Sequence, residues 1–221
     1  MYKNILFDLD GTLLDTTIGV IEAVKITIEQ LGLTMPPAET LATFVGPPMQ
    51  SSFMKHFGME PERALECANM FRANYKKYSL FSAEPYPGAL ELLKSLKETG
   101  HKVAVATYKS HENAMGILEK FGISKYCDFA MGSDLEGRLT KTDIVNECIK
   151  QLGADRASTV LIGDSSADSR GAYEADIDFI ALTYGFGFKS AADLQNIPHV
   201  AVCSNIEELA DYLSVSPEKV C

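Results

Sequence analysis

The residues with the greatest capacity for chemistry fall into four short clusters. Asp8-Leu9-Asp10-Gly11-Thr12 closes a short apolar run, Lys3 to Phe7, that reads as a strand. Two carboxylates two residues apart at a strand end can set one side chain on a reacting centre and the next beside it, while Gly11 permits a tight turn. Gly163-Asp164-Ser165-Ser166-Ala167-Asp168 follows a second apolar strand and opens a helix. Acidic groups converging on one crevice repel unless a cation sits among them, and all-oxygen ligands suggest Mg²⁺. Thr107 ends a third strand, and Lys141 begins the helix after Gly137-Arg138-Leu139-Thr140. A hydroxyl with nearby backbone N–H groups, together with an ammonium, is what a phosphoryl group needs to balance its oxygens.

Each cluster also has a purely local reading. Asp and Gly are common turn residues after any strand. Ser165 or Ser166 can cap a helix, with Asp168 in its first turn where the helix dipole favours it. A single strand-end Thr or helix-start Lys is ordinarily structural or solvated. The chemical reading rests on order and position rather than on any one residue.

The elements that must carry these clusters alternate from Tyr86 onward. Pro87-Gly88 opens an amphipathic helix with Leu90, Leu93 and Leu96, Gly100 stops it, and Lys102 to Thr107 reads as a buried strand. Helical stretches at 112–121, 140–152 and 167–175 then alternate with strands at 128–131, 159–163 and 178–182, and residues 206–213 read as a closing helix. This is the pattern of an α/β fold, a doubly wound, mainly parallel sheet with its ligand at the carboxyl ends of the strands. Between Thr16 and about Ser82 the pattern is helix after helix, with Val20, Val24, Ile28 and Leu31 at helical spacing and Pro36-Pro37, Pro47-Pro48 and Pro61 as punctuation. The expectation is a discontinuous core domain, residues 1–15 and 83–221, carrying an inserted α-helical domain at 16–82.

Over 221 residues, thirty acidic and twenty basic side chains leave a formal charge of −10. That surface repels nucleic acid and anionic membrane, so neither is an expected partner, while a small phosphorylated metabolite held in a local site is not excluded. No segment reads as membrane-spanning or as a signal peptide, and the five cysteines are scattered without a Cys-x-x-Cys pair. Cytoplasmic location is the resulting expectation. The four histidines show no mutual ligand spacing for zinc.

The order strand-end Asp-x-Asp-Gly-Thr, strand-end Thr, Lys, then Gly-Asp-x-x-x-Asp resembles the haloacid dehalogenase superfamily of hydrolases over nearly the whole chain. Within it, Phe44-Val45-Gly46-Pro47-Pro48 and Tyr184-Gly185-Phe186-Gly187 look like the phosphoglycolate-phosphatase-like branch, whose helical cap corresponds to the insertion. The resemblance implies a Rossmann-like core and a Mg²⁺-dependent phosphatase acting on a small phosphate monoester of phosphoglycolate, nucleotide or sugar-phosphate type. It implies that Asp8 is the nucleophile, becoming an aspartyl-phosphate, and that Asp10 is the acid and then the base. Thr107 and Lys141 would hold the phosphoryl group, with Gly11, Thr12 and Tyr108 beside it. Asp8, the Asp10 backbone carbonyl and Asp164 would bind Mg²⁺, with Asp168 in the outer shell orienting Lys141. Tyr108 departs from the family pattern, which has a small polar residue there, and Thr142 stands where Pro is common. A sugar-phosphate mutase on the same core and a non-enzymatic phospho-aspartate signalling or binding module are the alternatives; dehalogenation is disfavoured because Asp10 supplies an acid/base that dehalogenases of this fold lack.

Overall fold

A computed structural model describes residues 2–134 and 138–214, so Gly137, named above, and Cys221, one of the five cysteines, lie outside the described residues. The chain forms two compact units, Thr16–Glu84 and the sequence on either side of it.

In the larger unit β1 (Asn4–Phe7) is flanked on both sides, which is why Ile5, Leu6 and Phe7 are apolar in succession rather than in alternation. It pairs in parallel with β4 (Lys102–Ser110) and with β6 (Thr159–Gly163). Short strands β2 (Leu14–Asp15) and β3 (Glu84–Pro85) lie where the chain passes between the units. With β5 (Phe129–Ser133), β7 (Asp178–Leu182) and β8 (Ala201–Cys203), the main sheet has the order β5-β4-β1-β6-β7-β8. Strand order therefore reverses at β1, and the crevice outside its carboxyl end is where a doubly wound sheet places its ligand. Phe7 is level with Val105 on one side and Ile162 on the other, so Asp8 leaves the sheet beside the ends of both neighbours.

Helices cover the sheet. Leu92, Leu93 and Leu96 of α5 (Ala89–Glu98) are fully buried. Ile144, Val145 and Cys148 of α7 (Lys141–Leu152) and Ala172 of α8 (Ser166–Glu174) pack with Leu6, Ala104, Ala106 and Leu161 in one core. Among the described residues no helix is long and apolar enough to cross a membrane.

The smaller unit is helical: α1 (Thr17–Gln30), α2 (Ala38–Ala42), α3 (Met49–Phe57) and α4 (Pro61–Asn74), the last running on into a π-helical turn at Tyr75–Ser79. Its core holds Val24, Ile28, Leu41, Phe44, Phe53 and Cys67. In the larger unit, α6 (His111–Lys120) follows β4, and α9 (Ile206–Tyr212) follows β8.

Several strands differ from the sequence reading, and the short β2 and β3 were not expected. β4 continues to Ser110, past a break in its pairing with β5 between Ala106 and Ser110. β8 was not expected; Ala201 and Val202 are only half-buried, and a three-residue edge strand needs no long apolar run.

Candidate active site

Asp8 stands at the centre of the site. Its N–H donates to the Ile162 carbonyl at 2.9 Å, and its side chain accepts from the Lys141 ammonium at 2.7 Å. Lys141 also reaches Asp168 at 2.6 Å, so one buried ammonium bridges the first and last clusters of the sequence. Local chemistry delivers each partner. Thr140 caps α7 in a capping box with Asp143, which sets Lys141 at the first position of the helix. Ser165 caps α8 in the same way with Asp168, whose Oδ2 accepts from the Ser165 N–H and hydroxyl at 3.0 and 2.6 Å. The local capping reading of Asp168 and its position behind Lys141 are therefore both true, one carboxylate oxygen serving each.

Asp164 is 3% exposed, and its Oδ2 accepts from the N–H groups of Phe186 and Gly187. Asp8, Asp164 and Asp168 each offer an oxygen, and these atoms lie within 4.8 Å of one another. Three buried carboxylates against one ammonium leave an uncompensated negative charge, and a donor set made only of carboxylate oxygen fits a hard divalent cation. Gly11 closes the wall here with φ of +81°, where a Cβ would lie 2.6 Å from Asp164 Oδ2. Any larger residue would strain the turn and displace that carboxylate.

Burial pushes the Asp8 carboxyl up to about 7; Lys141 pulls against it, and Asp168 and Asp164 add to it. Burial, followed by Asp168, lifts Asp164 to about 6. Burial opposes the charge on Lys141, but Asp168 and Asp8 more than offset it and hold the ammonium above the usual lysine range. Asp8 and Asp164 bind protons more tightly folded than unfolded, so their contribution is fully present below the ordinary carboxylate value and is lost as pH rises through 6 and 7. Carboxylates held low by hydrogen bonds, such as Asp143 and Asp193, act in the opposite sense only at more acidic pH. In chelator, the melting temperature is expected to fall by several degrees from about pH 5 to about pH 7.5, since 1 kcal/mol moves it by about 2–4 °C in a protein of this size. Asp164→Asn should flatten that slope. A slope unchanged by the substitution would contradict this assignment.

The remaining sequence candidates surround this centre. Thr107 is buried, and its hydroxyl accepts from the Lys109 N–H at 3.2 Å. Tyr108 is half-exposed; its hydroxyl accepts from the Lys141 N–H at 2.8 Å and its ring centroid lies 5.8 Å from the Lys141 ammonium. The departure at 108 thus ties the β4 end to the first turn of α7. Thr12 is fully enclosed, its hydroxyl without a partner among the described residues and its carbonyl accepting from the Tyr184 hydroxyl at 2.8 Å. Asp10 is joined by Lys109, whose ammonium reaches both carboxylate oxygens at 2.9 Å. Lys109 is a residue the sequence reading missed; the available signal was a lysine two positions after a strand-end Thr. A separate cavity of about 780 Å³, lined by residues including His111, Met131 and Asn146, includes none of these residues.

Comparison with known proteins identifies the family. The haloacid dehalogenase-like hydrolase family matches residues 5–182. A 5'-nucleotidase of Pseudomonas aeruginosa is 32% identical, with 96% of each chain covered. The tyrosine-protein kinase PtkA of Mycobacterium tuberculosis is 30% identical over 96% of this chain and 72% of its own. Proteins named phosphoglycolate phosphatase are related at 28–29% identity. A crystal structure described as a predicted phosphatase from Clostridium acetobutylicum superposes with a TM-score of 0.85 at 32% identity, covering 97% of this chain and 99% of that one. The fold, the converging carboxylates and these matches together make the chain a member of the haloacid dehalogenase-like hydrolases.

Proposed function

We propose that the protein is a Mg²⁺-dependent phosphatase that hydrolyses a small phosphate monoester through an aspartyl-phosphate on Asp8. The observation that carries this reading is the enclosed Asp8 carboxylate at the strand-order reversal, held at 2.7 Å by an ammonium that Asp168 anchors from behind at 2.6 Å. An isolated buried carboxylate would be a poor nucleophile through protonation, and Lys141 counteracts that while offering charge to the incoming phosphoryl oxygens.

In the first transfer an Asp8 oxygen attacks phosphorus, the bond from phosphorus to the ester oxygen breaks, and Asp10 gives that oxygen its proton. In the second, water loses a proton to Asp10 and attacks phosphorus, the bond to Asp8 breaks, and the carboxylate is restored. Thr107 and Lys141 hold the phosphoryl oxygens, and Asp168 keeps Lys141 aimed. Gly11, Thr12 and Tyr108 shape the backbone around them. Asp8, Asp164 and the Asp10 carbonyl would hold Mg²⁺, which supplies charge neutralisation and alignment for in-line attack. The unit Thr16–Glu84 is the proposed selector of the leaving group, and the protein's location is proposed to be cytoplasmic.

A panel of nucleoside monophosphates, sugar phosphates and short phosphorylated acids, assayed for inorganic phosphate, tests the reading. Release is expected with Mg²⁺, loss in excess chelator and recovery on adding Mg²⁺ back; Ca²⁺ should substitute poorly because its longer, looser coordination misplaces the reacting groups. Substitutions at the exposed positions of Gly46–Pro48 should re-rank the panel, whereas Phe44, Met49 and Ser52 belong to the buried interior of their unit. Full turnover in chelator would contradict the metal assignment, and phosphate transfer only to an added sugar phosphate would favour the mutase.

A further inference from the structure

We propose that Lys109 is a positioning residue that locks the Asp10 carboxylate to the phosphoryl-holding end of β4. The inference rests on the proposed roles of Asp8 and Asp10. Lys109 makes two connections at once. Its N–H donates to the Thr107 hydroxyl at 3.2 Å, and its ammonium donates to both oxygens of Asp10 at 2.9 Å. Thr107 and Asp10 lie on different strand ends, and this single residue ties one to the other. The ion pair is well enclosed, with the Lys109 side chain 10% exposed and that of Asp10 25%. A paired, hydrogen-bonded carboxylate in such a place has far fewer accessible rotamers than a solvated one.

The backbone is shaped for this contact. Regular pairing of β4 with β5 stops at Ala106–Met131 and resumes at Ser110–Ser133, so residues 107–109 lie in the irregular stretch. Such a bulge alters which way successive side chains point, and bulges recur beside active sites for that reason. Gly132 on β5 lies directly against it: a Cβ there would meet the Lys109 carbonyl, and would come within 2.7 Å of the His111 Cα. The strand partner thus leaves room for the bulge in which Lys109 sits.

A displacement of about 1 Å in a reacting group can cost about 10²-fold in rate. Loss of the tether should therefore appear in turnover rather than in substrate affinity. Lys109→Met keeps much of the side-chain volume and removes the ammonium; Lys109→Arg keeps a cation able to bind a carboxylate through two hydrogen bonds. The experiment measures kcat and KM for Lys109→Met, Lys109→Arg, Asp10→Asn and the double variant Lys109→Met/Asp10→Asn. It uses aryl and alkyl phosphates that span leaving-group acidity, with phosphoenzyme trapping on Asp10→Asn in parallel.

The expected result is a fall of about 10- to 100-fold in kcat for Lys109→Met with KM within a few-fold, steepest for the least acidic leaving groups. Lys109→Arg should recover most of it, and the double variant should be no slower than Asp10→Asn alone, because a tether has nothing to act on once its target is gone. An increase in KM shared by all substrates and additive with Asp10→Asn would instead make Lys109 a substrate-anion ligand and overturn the proposal. Unchanged kinetics in Lys109→Met would overturn it too. Failure to label Asp8 in Asp10→Asn would defeat the underlying mechanism, a result read separately from any Lys109 variant.

Discussion

Asp8→Asn is expected to reduce turnover by more than about 10⁴-fold, the scale on which removal of an enzymatic nucleophile is felt, while leaving the protein folded. The substitution preserves shape and takes away the carboxylate proposed to attack phosphorus in the first transfer. Stability should not fall in parallel. Asp8 is enclosed with Asp164 and Asp168, and burial opposes its ionisation, so at neutral pH in chelator the neutral amide removes a costly charge. Lys141 keeps its partner Asp168 at 2.6 Å. A melting temperature equal to or above that of the unmodified protein, combined with the loss of phosphate release, would separate lost chemistry from lost structure. Near-normal phosphate release from Asp8→Asn would contradict the assignment of the nucleophile.

Lys141→Met should have the next largest effect, and it should act on stability and activity together. It removes the ammonium between Asp8 and Asp168, whose side chains are 11% and 2% exposed, and leaves buried carboxylates facing one another. Breaking a buried pair by deleting one partner typically costs about 3–5 kcal/mol. The loss should be greatest at neutral pH in chelator and smaller at acidic pH, where the carboxylates can take up protons. Mg²⁺ should restore part of the stability by supplying positive charge nearby. Turnover should stay down by about 10³-fold even with Mg²⁺, because a preorganised donor to developing phosphoryl charge is worth roughly 10²- to 10³-fold and the nucleophile loses its anchor as well. Thermal melts and steady-state kinetics, each with and without Mg²⁺, check the two halves. Activity within a few-fold of normal would contradict the role given to Lys141.

Much of this arrangement was legible in the sequence because the relevant physics is local. The apolar run Ile5-Leu6-Phe7 reads as a strand, and the acidic residue after it then emerges at a sheet end; the structure buries all three side chains. Thr140 and Ser165 announce helix starts through capping boxes, which place Lys141 and Asp168 on first turns. Other features depended on pairing between distant segments. The interruption between Ala106 and Ser110 arises from how β4 meets β5 around Gly132, so the inward path of Lys109 leaves no period in the sequence. Tyr108 was legible only as a departure from the family pattern; its hydroxyl bonds to the Lys141 N–H, a contact across 33 residues that no local pattern encodes. β8 was missed because a three-residue edge strand, two of its residues only half-buried, carries too little hydrophobic signal.

The most direct test of the central claim is a rapid-quench experiment on Asp10→Asn with a phosphate ester whose leaving group is acidic enough to depart without protonation. Asp8 should then still take the phosphoryl group, while the missing base slows its discharge to water by about 10²- to 10⁴-fold. The predicted result is a burst of leaving group and a phosphoprotein that survives acid, is cleaved by alkali, and maps to Asp8. It should be absent from Asp8→Asn. Label on another residue, or stable label in Asp8→Asn, would contradict the covalent mechanism.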